Sequence, residues 1–273
     1  MRCIFCKIPS HLSKGKEHIV PQSLGNTRHT LPPGMVCDKC NNYFSRAVEG
    51  PVLNSTHFRN LRGRQVVPNK KGEAPPVDAL MLGEPVKLYW DKNQACVDLG
   101  PKAIQKLMDL SASDKQGTIL MPLSGSFDEK LFSRFLAKIG LELFASKIMH
   151  VSGWESEIID LPGLDLIRQY ARVGNRPPSW PFHSRRIYDE DAFVISEGGE
   201  REQVVHEEDI FSPSIEDKGD HILMEPHVVV CFFGVEYVLN LAEPSTDSYE
   251  GYLLKNNGIS PLYEDSEMPK NLD

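Results

Sequence analysis

Cys3-Ile4-Phe5-Cys6, Glu17-His18-Ile19-Val20-Pro21 and Cys37-Asp38-Lys39-Cys40-Asn41-Asn42 decide how the first part of this chain folds. The two Cys-x-x-Cys pairs stand 30 residues apart. Each pair presents two sulfurs to one metal, so four thiolates at this spacing close a tetrahedral zinc site. Four protein ligands leave no open coordination position, which makes such a site structural. The residues held between the pairs, Glu17 and His18 first, then become candidates for chemistry rather than packing. Four unrelated reduced cysteines are the bland alternative, and the matching spacings argue against it.

The rest of the composition is ordinary. The chain has 273 residues, 40% hydrophobic and 25% charged, a profile that excludes wholesale disorder. No stretch approaches the ~20 apolar residues of a membrane span, and the N-terminus lacks the apolar run of a signal peptide. A cytoplasmic protein with no membrane partner is expected. Of six cysteines, Cys96 and Cys231 fall outside the paired pattern. A disulfide framework does not suit a chain of this length without an export signal. Both cysteines lie in apolar surroundings and are expected as small core residues.

The net charge of −8 is unevenly spread. Residues 1–75 hold 12 Lys+Arg against 4 Asp+Glu, and residues 76–273 hold 18 against 34. A basic metal-binding module joined to an acidic body points to a polyanion facing only the first part. A merely solvated surface would give the same count.

The chain reads as an α+β protein. The run Pro68-Asn69-Lys70-Lys71-Gly72-Glu73-Ala74-Pro75-Pro76 has the composition of a connector. We therefore expect a first domain at 1–67, a linker at 68–78 and a mixed α+β domain at 79–273. The first domain is thin in apolar residues and is expected to need its metal. Val86–Trp90 and Ala95–Leu99 read as a hairpin around Lys92-Asn93. A helix is expected from Pro101 through Leu110. The clearest helix runs from Phe127 to Met149, with Leu131, Phe135, Ile139, Leu143 and Phe144 on one face and Lys130, Arg134 and Lys138 elsewhere. Another is expected over Leu164–Val173, ended near Gly174. Past Pro181 the pattern turns to strands, over Arg186–Ser196, Gln203–Phe211, His221–Phe233 and Val235–Leu241, with turns at Gly198-Gly199 and Phe233-Gly234. The last ten residues are polar and expected to be loose. Trp180 and Phe182 read as a loop packed into the core.

Taken together, Cys3-x-x-Cys6, Glu17-His18-Ile19-Val20-Pro21 and Cys37-x-x-Cys40-Asn41-Asn42 resemble the HNH endonuclease family, whose core is a ββα-metal fold. The similarity is greatest to the branch in which a Glu-His-Ile-x-Pro segment is followed by Leu-Gly, present as Leu24-Gly25. It covers residues 1–55, about a fifth of the chain. The resemblance implies an N-terminal zinc-stabilised ββα module with Cys3, Cys6, Cys37 and Cys40 as structural Zn2+ ligands. It implies that His18 is the general base, and that Glu17 and Asn41 hold a catalytic divalent ion. Asn42, the next helical residue, points elsewhere and is the weaker candidate. The family's middle Asn lies a few residues before the second cysteine pair, where this chain reads Thr30-Leu31-Pro32-Pro33-Gly34. Either Asn26 or a backbone carbonyl is left to orient His18.

These residue types suit phosphodiester hydrolysis. A neutral imidazole can activate water, a task typically contributing ~10²–10⁴-fold. A Mg2+ or Mn2+ on two oxygen ligands can absorb charge on phosphate. Lys14, Lys16, Arg28, Lys39 and Arg46 are candidates for the nucleic-acid backbone, with Arg59, Arg62 and Arg64 as a following cluster. The expected function is a metal-dependent endonuclease, acting on DNA in preference to RNA. The alternatives are a non-catalytic zinc module that binds nucleic acid and a zinc-knuckle adaptor for protein partners. Neither needs Glu17-His18 plus Asn41. The C-terminal part is a candidate for regulation, substrate selection or homo-oligomer contacts, and nothing in it names a ligand.

Overall fold

A hairpin two residues long on each side organises the start of the chain. In the computed structural model, which describes residues 1–91, 94–111, 116–123, 125–149, 157–217, 222–264 and 266–271, β1 (Glu17–His18) pairs antiparallel with β2 (Thr30–Leu31). Glu17 stands opposite Leu31 and His18 opposite Thr30. The backbone bends directly after, at residues 19 and 20. Both chemistry-bearing residues therefore sit at a strand end, the condition under which neighbours of alternating direction can serve one site. Helix α1 (Asp38–Phe44) follows, with Cys37 as its N-cap and Asp38 in the first turn, where a carboxylate is favoured by the exposed N–H groups. It runs on through one π turn, Ser45–Glu49, into α2 (Gly50–Leu53). The ββα order expected from the sequence is present.

The structure divides into two compact units, Met1–Gly50 with Glu129–Asp273, and Pro51–Asp128. This division differs from the expected boundaries at 67 and 79. The second unit holds α3 (Thr56–Arg64), β3 (Val77–Met81), β4 (Glu84–Asp91), β5 (Gln94–Leu99), α4 (Pro101–Ser111) and β6 (Ile119–Leu120). Its antiparallel sheet has the order β5-β4-β3-β6, and Val77, Ala79, Val86, Leu88 and Ala103 form its core. The stretch read as a linker lies inside this unit. Asn69 and Gly72 close a turn there, and Val77 and Asp78 already belong to β3. The expected hairpin and the helix beginning at Pro101 are both present; the Lys92-Asn93 turn lies outside the described residues.

The remainder of the first unit begins with α5 (Glu129–Ile148), α6 (Glu157–Asp160) and α7 (Asp165–Val173), the last ended by Gly174 at φ +70°. Strands β7 (His183–Arg186), β8 (Phe193–Ile195), β9 (Arg201–Gln203), β10 (His206–Phe211), β11 (Ile215–Asp217), β12 (Ile222–Met224), β13 (His227–Phe232) and β14 (Val235–Asn240) follow, then α8 (Asp247–Lys255). The main sheet is antiparallel with order β10-β13-β14-β7. Helix α5 lies on it and also packs against α7 and the π turn.

This placement corrects the expected two-sided character of α5. The helix is buried around most of its circumference from Phe132 to Ala145, with Lys138 and Glu142 inside. Gly140 lets it approach the sheet. A Cβ there would stand 2.9 Å from the Cβ of Val228. Trp180 is buried and donates from Nε1 to the Asn240 carbonyl at 2.8 Å, and Phe182 packs on Phe132 and Tyr237. Cys231 is a core residue, whereas Cys96 is partly exposed. The C-terminal stretch is tied more firmly than its polarity suggests: Lys270 exchanges backbone hydrogen bonds with Phe193, and Asn271 accepts from the Asp189 amide.

Candidate active site

The four cysteines of the two pairs converge. Their sulfurs all lie within 4.8 Å of one another. Cys6 Sγ and Cys37 Sγ are 3.7 Å apart, close to the edge of roughly 3.8 Å that a tetrahedron with 2.3 Å Zn–S bonds requires. Backbone amides are aimed at the sulfurs as well, Cys37 N at Cys3 Sγ and Cys40 N at Cys37 Sγ, each at 3.4 Å. Such donors stabilise thiolates. The Cys40 thiol first, and backbone amides with it, lower the Cys3 thiol against its burial. The contact with Cys3 raises Cys40 and burial raises Cys6, so without an ion the cluster gathers its negative charge on one sulfur. The cluster could hold zinc. It clamps the first knuckle, before β1, to the N-terminus of α1.

Between the clamp points, one buried side chain closes the β1–β2 loop. Asn26 donates from Nδ2 to the carbonyls of Val20 and His29, both at 2.8 Å. Its Oδ1 accepts from the amides of Arg28 and His29, at 3.0 and 2.9 Å. The His29 carbonyl also accepts from Ile19 N at 3.2 Å. Asn26 thus braces the backbone immediately following His18 and the turn that leads into β2. Asn26→Ala removes all four bonds and leaves polar backbone buried; each group left unsatisfied costs about 1–3 kcal/mol. We expect a loss on the order of 2–3 kcal/mol in unfolding free energy, read by denaturant melting of the metal-loaded chain. A change within experimental error would remove Asn26 from this role.

Glu17 and His18 meet a residue that the helical spacing sets apart from the apolar face of α5. The Lys138 ammonium, from the middle of α5, lies 2.7 Å from Glu17 Oε1, 2.6 Å from Glu49 Oε1 and 3.0 Å from Glu142 Oε2. It also donates to the backbone carbonyl of His18 at 3.3 Å. Lys138 is fully buried, and the Glu17 side chain is 8% exposed. Burial alone would depress the lysine, but the attraction of Glu142, Glu49 and Glu17 outweighs it and holds Lys138 well above the usual value. Burial pushes the Glu142 carboxyl well up despite the nearby ammonium. Glu49 reaches the cluster from the π turn, an irregularity often found at functional sites.

Asn41 lies on α1 and is half-buried. Its amide faces the segment leading into β1: Nδ2 is 3.3 Å from where a Gly15 Cβ would be. Asp38 fixes that segment by accepting from Gly15 N at 2.9 Å. The carboxylate of Glu17 and the carboxamide of Asn41 are both oxygen donors, the ligand type of a hard cation.

Lys14, Lys16, Arg28, Lys39 and Arg46 are all exposed. Arg46 spends Nε on the Asn42 carbonyl at 3.4 Å. Other cations of the basic segment are taken up by protein partners. Lys7 pairs with Asp165 at 2.5 Å, and Arg2 pairs with Asp160. The Arg59–Arg64 cluster does not form the expected phosphate-facing set. Arg59 pairs with Asp78, Arg62 is buried, and Arg64 donates to the carbonyls of Pro122 and Leu123.

Residues 3–57 match the family model described as HNH endonuclease. The N-terminal module is thus an HNH module with a four-cysteine cluster, and a mixed α+β region follows it. No curated protein and no solved structure matches the chain.

Lys138, Glu49 and Glu142 escaped the sequence reading, although one signal was present. Lys138 and Glu142 are the two charges inside Leu136-Ala137-Lys138-Ile139-Gly140-Leu141-Glu142-Leu143, an otherwise apolar run. Charges in such a run are either a helix's outer edge or a buried pair, and only packing distinguishes the two.

Proposed function

We propose that this chain is a metal-dependent endonuclease that hydrolyses phosphodiester bonds of nucleic acid, DNA in preference to RNA. The observation that carries the proposal is the cysteine cluster, four sulfurs within 4.8 Å. It joins the segment leading to Glu17-His18 with the helix that bears Asn41. In this reading His18 takes a proton from the attacking water. Glu17 and Asn41 hold a Mg2+ or Mn2+ ion, which when bound supplies Lewis-acid stabilisation of charge on the phosphate. Asn26 keeps the hairpin loop closed behind His18. The exposed Lys14, Lys16, Arg28, Lys39 and Arg46 engage backbone phosphates without reading sequence. The acidic C-terminal part serves substrate selection, regulation or assembly with a second copy, in the cytoplasm.

The test is cleavage by the purified, zinc-loaded chain on supercoiled plasmid, linear duplex, single-stranded DNA and RNA. Nicking or linearisation is expected with Mg2+ or Mn2+. It should stop when EDTA removes the hard ion and return on its re-addition while the zinc stays bound. A chain that binds duplex in a salt-dependent way, yet cuts no substrate with any divalent ion, would be a nucleic-acid-binding zinc module instead.

A further inference from the structure

We infer that Lys138 is a positioning residue of the nuclease centre, so that this centre is built jointly by the N-terminal module and the long helix of the C-terminal region. The inference rests on the nuclease reading for the role of His18. Its own ground is geometric. One buried ammonium takes the side chain of Glu17, at 2.7 Å, and the carbonyl of the very next residue, His18, at 3.3 Å. These two contacts act on successive residues of a strand only two residues long. Such a strand has a single paired neighbour, β2, so its own ladder leaves it weakly fixed.

The contact with Glu17 fixes the direction of a carboxylate. The contact with the His18 carbonyl fixes the peptide plane that follows His18, and with it the backbone from which the imidazole projects. Catalytic groups must be held within about half an ångström of their working geometry. Asn26 braces the same hairpin from the loop side, through Val20 and His29. Lys138 braces it from the helix side.

The ammonium is itself held in place. Glu49, on the π turn directly after α1, is its nearest partner at 2.6 Å. Glu142 is one turn along α5 at 3.0 Å. Lys138 therefore connects β1, the end of the α1 segment and α5 through a single nitrogen. A purely structural ion pair needs only one of those carboxylates, and it has no need of the His18 carbonyl.

Lys138→Met keeps the apolar stem and removes the ammonium, and the test compares this full-length, zinc-loaded variant with wild type. The imidazole resonances of His18, assigned by their loss in His18→Ala, are expected to shift or broaden while zinc content and a cooperative melt persist. Single-turnover cleavage of duplex DNA is expected to slow by at least ~10²-fold, with the half-saturating DNA concentration changed less than about threefold. Unmoved His18 resonances with an unchanged cleavage rate, in a folded variant, would overturn the inference. Should Lys138→Met fail to fold, Lys138→Met/Glu49→Gln removes one charge of each sign and repeats the comparison. Unfolding of both variants would also overturn it, since the ammonium would then serve stability alone. The two ideas fail separately. A wild-type chain that cuts nothing sinks the nuclease reading, while the resonance comparison still decides the placement of His18.

Discussion

Cys37→Ser is expected to release the zinc and unfold the N-terminal module. The substitution is informative because Cys37 has two duties in the structure. Its sulfur belongs to the four-sulfur cluster, and it is also the N-cap of α1, accepting from Cys40 N at 3.4 Å. Serine is a good N-cap, so the capping contact survives the exchange. A hydroxyl is a poor zinc ligand, so the metal contact does not. The effect should therefore report the metal alone. Zinc binding supplies on the order of 10–16 kcal/mol of folding free energy in small finger peptides, comparable to the whole stability of a typical domain, ~5–15 kcal/mol. The loss should not stay local. Glu17 and Glu49 come from the module, and without them Lys138 keeps only Glu142 among its three carboxylates. Breaking a buried ion pair by removing a partner typically costs about 3–5 kcal/mol. Hydrogen exchange should therefore rise across residues 1–50 and also in α5 around Lys138. A variant that retains one zinc per chain and melts like wild type would refute the structural assignment of the cluster.

What could be read from the sequence was what is encoded locally. Two Cys-x-x-Cys pairs point to a cluster of four sulfurs because each turn fixes its own two, and the equal spacings carry that information without any tertiary contact. The start of α4 at Pro101 and the stop of α7 at Gly174 were legible for the same reason: proline's fixed φ and glycine's access to φ +70° act on their own residues. Lys138 was not legible. On a helical wheel it falls with Lys130 and Arg134, and a Lys with a Glu four residues on reads as a surface pair. Its burial depends on the module returning to pack on α5 from about a hundred residues away in sequence. The arginines at 59, 62 and 64 misled in the opposite direction. As a cluster they looked ready for phosphate, but Asp78, a buried interior and the carbonyls of Pro122 and Leu123 claim them. The compact units are divided elsewhere than at the Pro- and Gly-rich run, for a similar reason. A Pro- and Gly-rich run marks where the chain is polar, whereas a compact unit is defined by which distant segments touch. Residues 1–50 are grouped with those from 129 onward.

His18→Ala is expected to abolish cleavage without disturbing the fold, and the separation follows from where His18 sits. Its backbone is held by groups that alanine keeps: the pairing with Thr30, and the carbonyl that accepts from Lys138 at 3.3 Å. The cysteine cluster and the Asn26 brace do not use its ring as a ligand or partner. The side chain is half-buried on a strand end, so trimming it creates no large sealed cavity in the core. Zinc content and melting temperature should therefore stay near wild type. Loss of a positioned general base typically removes ~10²–10⁴-fold of rate, and a uniform binding contact would instead raise KM alone. Single-turnover cleavage should accordingly fall by at least ~10²-fold at saturating DNA, with binding preserved. His18→Gln is the sharper control: it retains polarity and much of the length but cannot act as a base at neutral pH. Should the glutamine variant cut at the wild-type rate, in a preparation whose Asn41→Ala counterpart is inert, proton abstraction would belong to another group and His18 would lose its assigned role.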